Sequence, residues 1–488
     1  MLRLQLLSDE HLHSIHNTTL ETLERIGLQI KNEQARNTLK DAGCEAESSA
    51  MRIPSSLVEE CIRKAPRHFD LFSRNGSQSL SVGGDNVIYN PGSSVPNVID
   101  RNSGEIRKAT SQDAIDIIRL AEELQFIRAQ STAVIPSDVP EIISDFFRLF
   151  LVLKYSSKPI ITGAFRKEGF HDMQALLRVG SDGKDLRKSP RAVFDCCPTS
   201  PMTWSDVTCQ NLIDCAKTRT PAEIVPAPLM GATSPVTIAG TLVQSNAEIL
   251  GGLVISQLVS SGTPVIYGGA PAPLDMRYAT PRFGSIEAML TMCASAEVGK
   301  SYGIPTHAYL GLSDSKTIDS QLGFESGLGL ILAALSRINI VSGPGALAFI
   351  NCQSAEKLIL DNELCGGAYR MIEGIALEGL DEVITVLQAV GFKGDFLKQR
   401  HTSRNLRKEH YMPSELIDRL SPESWRDGGE KSARDRAKAR AEEILSLPQG
   451  DQGPEDIERL LDDCFRVLIT KYDVSPHSIP GNILSNQH

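Results

Sequence analysis

The residues of this chain that could do chemistry gather just after short apolar runs. Asp195, Thr199-Ser200-Pro201 and Trp204 follow Arg191–Cys196, and Phe165 and Arg166 follow Lys158–Gly163. Tyr267 lies near the end of Thr263–Gly269, with Asp275, Arg277 and Tyr278 beyond it. His307 and Tyr309 end Ile304–Tyr309, ahead of Ser313-Asp314-Ser315-Lys316, Asp319, Gln321 and Glu325. Phe349 and Asn351 come after Arg337–Gly343. Taken singly, each reads as packing or a turn cap. Together at one rim they point to a cation: aromatic faces attract a quaternary ammonium by about 0.5–2 kcal/mol per ring. Tyr267, Tyr309, Phe349 and Trp204 are the cage candidates. Arg166, Arg277 or Lys316 could hold a ligand carboxylate.

Other chemistries find less support. A metal-dependent barrel enzyme would show an H-x-H strand. Here the one H-x-H is His11-Leu12-His13, which with His16 reads as the solvated face of an N-terminal helix, and only His307 falls on a strand. No metal site is expected. Gly343-Pro344-Gly345-Ala346-Leu347-Ala348, with Asp361 beyond, fits G-x-G-x-x-A. A dinucleotide fingerprint belongs in an opening βαβ unit, however, and this one reads as a tight rim turn. There is no G-x-S-x-G elbow and no Walker A motif. Cys196-Cys197 read as small buried residues rather than nucleophiles.

Something must bring those rim residues together. Seven runs (Phe126–Thr132, Lys158–Gly163, Arg191–Cys196, Ala222–Ala227, Thr263–Gly269, Ile304–Tyr309 and Arg337–Gly343) alternate with helical patterns. This predicts an α/β fold, a (β/α)8 TIM barrel with its chemistry in the loops after the strands. The eighth strand is open: Val87–Tyr89 or Val98–Asp100 closes the barrel, or Arg337–Cys352 divides differently. Residues 8–43 read as a helical hairpin, with Ser8 as N-cap and Gly27 as a stop. Ile53-Pro54-Ser55 opens a third helix, and Phe69–Ile106 reads as a small β layer. The expected division is an N-terminal helical and small β extension (1–85), the barrel (86–380) and a C-terminal helical extension (381–488). In the last, Trp425 begins a charged helix whose Glu430–Glu443 run is a solvated face, and the tail after Tyr472 frays.

A net charge of −10 argues against nucleic acid as a partner. Ten Cys without a C-x-x-C fit a reduced cytoplasmic protein. Ile249–Val259 and Leu328–Leu335 fall short of the roughly 20 residues of a membrane span, so no membrane role is expected. The same stretches could serve a homo-oligomer interface.

The ordered motifs carry a resemblance. Asn97-Val98-Ile99-Asp100 precedes Ser103-Gly104-Glu105-Ile106-Arg107, and Thr199-Ser200-Pro201 precedes Pro228-Leu229-Met230-Gly231-Ala232-Thr233-Ser234-Pro235-Val236-Thr237 and Asn246-Ala247-Glu248. Ser313-Asp314-Ser315-Lys316, Asp319-x-Gln321, His401-Thr402 and Trp425 follow. From about Leu7 to Leu447 the chain resembles the trimethylamine:corrinoid methyltransferase family, in particular its pyrrolysine-free branch that includes glycine betaine methyltransferase. The resemblance implies a (β/α)8 barrel that moves a methyl group from an amine to the cobalt of a corrinoid. That corrinoid (cobalamin) is carried by a separate partner protein, so the chain itself binds no cofactor directly. The family's trimethylamine enzymes use a pyrrolysine, and this sequence has none. A quaternary amine leaves as a neutral tertiary amine and needs no such activation.

The expected substrate is therefore a quaternary amine such as glycine betaine. Carnitine, proline betaine or trimethylamine are the alternative donors, and a non-catalytic betaine-binding or regulatory protein is the alternative role. On this reading His307, Asp314, Gln321 and Glu325 form the catalytic set. Tyr267, Tyr309, Phe349, Trp204, Asp195, Arg166, Arg277 and Asn351 bind substrate, with His307, Asn351, Arg166 or Arg277 at its carboxylate end.

Overall fold

The structure, a computed structural model, describes residues 2–92, 94–448, 454–481 and 483–484. Short parallel strands alternate with long helices through its middle. They are β1 (Ile88–Asn90), β2 (Gln130–Ser131), β3 (Ile160–Gly163), β4 (Ala192–Cys196), β5 (Ala222–Ile224), β6 (Val265–Tyr267), β7 (His307–Ala308) and β8 (Ile340–Ser342). All seven runs read from the sequence contain their strand. The order β6-β5-β4-β3-β2 makes one parallel sheet and β7-β8-β1 another. Isolated parallel bridges join Tyr89 to Ile127 and Tyr267 to Thr306. Of the segments left open in the sequence, the one at Val87–Tyr89 pairs with β8. Val98 instead lies in an antiparallel hairpin, Asn97–Ile99 with Ile106–Lys108.

Strand parity sorts the side chains. Ile88, Ala129, Ile161, Val193, Ile266 and Ile340 share one buried cluster with Leu71, Leu80 and Val82. Those three come from the hairpin His68–Phe72/Ser79–Gly83. The hairpin lies across the N-terminal ends of the strands: Phe72 N donates to Pro190 O (2.8 Å) and the following Arg74 N to Ser157 O (2.7 Å), just ahead of β4 and β3. That end is stoppered by aliphatic side chains. Two residues further along the same faces the character turns polar, with Asn90, Ser131 and Ser342 buried and Asp195 half-buried.

A helix follows each strand. The one after β5, Ile238–Val259, is long and apolar enough by composition to cross a membrane, but most of it is buried in the body of the protein. It packs on helices Asp9–Arg25, Ser55–Lys64 and Asp206–Thr218. Its third turn explains two of the sequence motifs. Glu248 accepts from Ser200 Oγ and Met202 N (2.8 Å each), and Asn246 donates to Tyr302 Oη (2.8 Å). These motif residues are framework.

The termini depart from the sequence expectation in several places. The N-terminal helices are not a simple hairpin: strand Leu28–Ile30 lies between them and pairs in parallel with Thr203–Trp204. Gly27 does end the first helix at φ +74°, where a Cβ would sit 2.4 Å from Met51 O. His16 is not on a free face, because it bridges Tyr302 Oη (3.0 Å) and Glu59 Oε1 (2.7 Å). The charged C-terminal helix runs Ala433–Ser446, separate from the short Pro422–Asp427 that holds Trp425, and it buries Ala437, Ala441 and Ile444. Past Tyr472 the described chain stays packed: Ile479 and Ile483 are buried, and Ile483 O accepts from Lys154 Nζ at 2.7 Å. The rest of the expected frayed tail, residues 482 and 485–488, lies outside the described residues.

Candidate active site

Three ionisable side chains meet on the polar faces beyond the aliphatic layer. Asp195 on β4 and Glu223 on β5 are register partners, so they stand side by side. His307 opens β7, and its Nδ1 lies 3.0 Å from Glu223 Oε1 across β6, with both side chains fully buried. Gly268, just past β6, makes that crossing possible: a Cβ there would lie 2.8 Å from Ile224 O and 3.1 Å from His307 Nδ1. The Tyr309 ring stands at right angles to the imidazole, centroids 4.9 Å apart.

The 3.0 Å contact is close but not aligned as a hydrogen bond. Within the described residues, Asp195 Oδ1, both Glu223 oxygens and both His307 nitrogens complete none. Burial pushes Asp195 well above the carboxylate range; Glu223 adds to that, while His307 and Arg148 oppose it. Burial alone pushes Glu223 up in the same way. Burial also drives His307 down to about 4, against the pull of Asp195. Near neutral pH the imidazole is uncharged and the paired carboxyls favour holding a proton. Buried acids with unused oxygens form a site that a cation would complete.

Behind Asp195, Arg148 of helix Ser144–Tyr155 is fully buried. It donates to Ser94 Oγ (2.8 Å) and Thr132 O (3.1 Å), with its guanidinium 4.5 Å from the Phe165 ring centroid. Loops at the strand ends frame the group. Gly343 packs so tightly that a Cβ would fall 1.9 Å from Leu310 O. Lys357 Nζ donates to Gly311 O (2.8 Å) and pairs with Asp361, which also accepts from Gly345 N (2.7 Å). The Asp of the apparent dinucleotide fingerprint thus holds a rim turn through its Oδ2.

The structure gathers Asp195, His307 and Tyr309 of the sequence candidates, with Glu223, which the sequence reading missed. Its signal was an acid inside an apolar run. Asp314, Gln321 and Glu325 bond among themselves and their own loops. Glu325 accepts from Ser313 Oγ (2.6 Å), Asp314 N (2.7 Å) and Gln321 Nε2 (3.0 Å). Asp314 accepts from Gly284 N (2.9 Å), and burial raises it to about 6. Phe349 lies beneath Lys316 Nζ at 3.9 Å, and Asn351 accepts from Asn97 Nδ2 (3.3 Å).

Four candidates turn elsewhere. Tyr267 faces the helices, donating to Asn246 Oδ1 (3.0 Å), because its neighbour Ile266 takes the inward face. Trp204 is buried with its indole N–H on Glu248 O (3.1 Å), and a Cβ at Gly252 would lie 2.3 Å from its ring. Arg166 stacks on Tyr472 at 4.7 Å. Arg277 pairs with Asp275 at 2.7 Å, largely exposed. Among the described residues no group of three or more His, Cys, Asp or Glu is arranged to hold a metal ion.

The chain matches the family model "Trimethylamine methyltransferase (MTTB)" over residues 1–466. It is 32% identical over 445 residues to a glycine betaine methyltransferase of Desulfitobacterium hafniense strain Y51, covering 90% of this chain and 92% of that protein. It is 30% identical over 472 residues to the trimethylamine methyltransferase MttB of D. hafniense DCB-2, covering 96% and 95%. Among solved structures it is similar to the monomethylamine methyltransferase MtmB of Methanosarcina barkeri, at TM-score 0.50 and 12% identity over 90% of this chain and 94% of that one. The chain belongs to the trimethylamine methyltransferase family. It is a methyltransferase of the methylamine or betaine type, and its reaction takes a methyl group from a methylated amine.

Proposed function

We propose that this protein transfers a methyl group from a quaternary amine of the glycine betaine class to the Co(I) of a corrinoid. The corrinoid arrives as a second substrate on a partner protein, and the tertiary amine is released. The observation that carries the reading is the buried Glu223–His307 pair with Asp195 beside it and Tyr309 against the imidazole. It offers a cation negative charge and an aromatic ring away from bulk solvent. In-line attack on the methyl carbon leaves the bonding pair on nitrogen, and the departing amine is neutral. The protein's tasks are to orient the donor and to strip its water. The ammonium charge vanishes in the transition state, so tight stabilisation of that charge would slow the reaction. Carboxyls that favour holding a proton, with a neutral imidazole, fit a site whose negative charge is restrained.

The two parallel sheets, joined by the bridges at Tyr89–Ile127 and Tyr267–Thr306, support a closed (β/α)8 barrel. Its body begins near residue 86 and runs to about 380, between extensions 1–85 and 381–488. The ten cysteines, all free thiols, support a cytoplasmic setting.

The test supplies Co(I) cobalamin, or a corrinoid protein, with glycine betaine, carnitine, proline betaine and trimethylamine, and follows the absorbance change as cobalt is methylated. Turnover with one quaternary amine and none with trimethylamine supports the proposal and names the donor. Turnover with trimethylamine alone refutes the quaternary assignment. Betaine binding without turnover, even with a competent corrinoid protein, makes this a binding protein.

A further inference from the structure

From Met371 to Glu415 no residue is buried, although every residue of that stretch is described. Within it, helix Leu380–Val390 carries Leu380, Val383, Ile384 and Leu387 at the i, i+3, i+4, i+7 spacing of a single stripe. All four are exposed, Ile384 at 67%. Ile375, Leu377, Phe392 and Leu397 beside the helix are exposed as well, Phe392 completely. An isolated helix of this length does not hold itself together in water, and an apolar surface of this extent marks an interaction site. The later helices Ala433–Ser446 and Glu455–Lys471 already bury their own apolar residues on the body.

The same chain carries a surface of matching character. Two apolar hollows of about 510 Å³ each lie between helices Asp9–Arg25 and Ile238–Val259. Ser14, Ile15 and Ala239 line both, so they form one groove, floored further by Leu7, Leu242 and Val243. Asp9, Glu10, Glu21 and Glu24 are exposed on the first helix. The helix Arg400–Glu409, which follows this exposed arm (374–399), presents Arg400, Arg407 and Lys408, while Arg404 pairs with Glu382 of the arm. The base of the arm is tied to the segment that leads to the groove: Arg337 Nη2 donates to both Leu2 O and Ile372 O (3.2 Å each), five residues before Leu7 and two before the arm.

We propose that two copies of this chain exchange arms. In the dimer, the Leu380–Leu387 stripe of each copy lies in the groove between helices Asp9–Arg25 and Ile238–Val259 of the other. The basic helix that follows meets the acidic first helix. A twofold axis near the base of the arm uses the arm and the groove twice. The eight exposed large apolar side chains named on each arm approach the roughly 800 Å² per partner of a stable interface.

The full-length chain is examined by sedimentation velocity and light scattering over a range of concentrations, with circular dichroism as a fold control. Wild type is expected to be dimeric, or a multiple of dimers. The double variant Ile384→Asp/Leu387→Asp alters only exposed positions and should weaken dimerisation by at least about 100-fold. Ala239→Trp, which fills the groove, should do the same. A monomeric wild type overturns the proposal. So does a dimer indifferent to the arm variant, or one lost with the arm variant but untouched by Ala239→Trp. If the arm variant stays dimeric and loses only capture by a corrinoid protein, the arm belongs to that partner, and the exchange is likewise refuted.

Discussion

Glu223 places a buried carboxyl where no hydrogen bond is completed among the described residues, and a positively charged substrate would change its state. Burial holds Glu223 and Asp195 above the usual carboxylate range. A bound cation lowers both, so binding should release protons and affinity should rise with pH until the pair has ionised. Calorimetry of betaine binding in buffers of different ionisation enthalpy reads that release directly. Glu223→Gln should abolish most of it and reduce kcat/KM by about 2–4 kcal/mol, roughly 30- to 1,000-fold. Stability should hold or improve, because an amide carries no charge to desolvate. Asp314 makes a different prediction. Its folded value of about 6 lies above the ordinary 3.8. The folded state therefore keeps a proton that the unfolded chain has already lost, and stability falls as pH rises through that window. Asp314→Asn should be more stable than wild type at pH 7.5, by at most about 3 kcal/mol. That gain should shrink towards pH 4 in urea unfolding.

At the scale of elements, the rim depends on close approach. Gly343→Ala would drive a Cβ into Leu310 O. It should cost about 2–4 kcal/mol in thermal or urea unfolding and displace the loop after β7. Gly323→Ala, in the first turn of helix Ser320–Leu335 with nothing within 4 Å of its Cβ, should instead stabilise by about 0.5–1 kcal/mol. The seven short apolar runs were legible because nearly all end in turn-forming or small residues before a helix. Strand Ile88–Asn90 was legible only as one of several alternatives, Val87–Tyr89 beside Val98–Asp100, because three residues after a turn-rich hairpin carry no period of their own. The partnership of Leu28–Ile30 with Thr203–Trp204 is non-local and leaves no mark on either segment. In the site, aromatic residues at strand ends were visible, but their parity was not: Ile266 facing in sends Tyr267 out to Asn246. Glu223 looked like ordinary alternation until its register with Asp195 put two acids side by side.

For the molecule as a whole, the exposed arm at 374–399 makes stability a matter of mass action. If copies exchange arms, the melting temperature should rise with protein concentration, and Ile384→Asp/Leu387→Asp should flatten that dependence. The hairpin His68–Phe72/Ser79–Gly83 sets a further constraint. Its Leu71, Leu80 and Val82 close the N-terminal ends of the strands, so traffic to Glu223 and His307 passes through the opposite end. On the reaction proposed above, a corrin ring presented at that end by its carrier would sit over the donor like a lid. The amine must then enter before the carrier docks, and the demethylated amine can leave only after the carrier has gone. Steady-state kinetics should be compulsory-order. Excess carrier should inhibit by closing empty enzyme, and high betaine should relieve that inhibition.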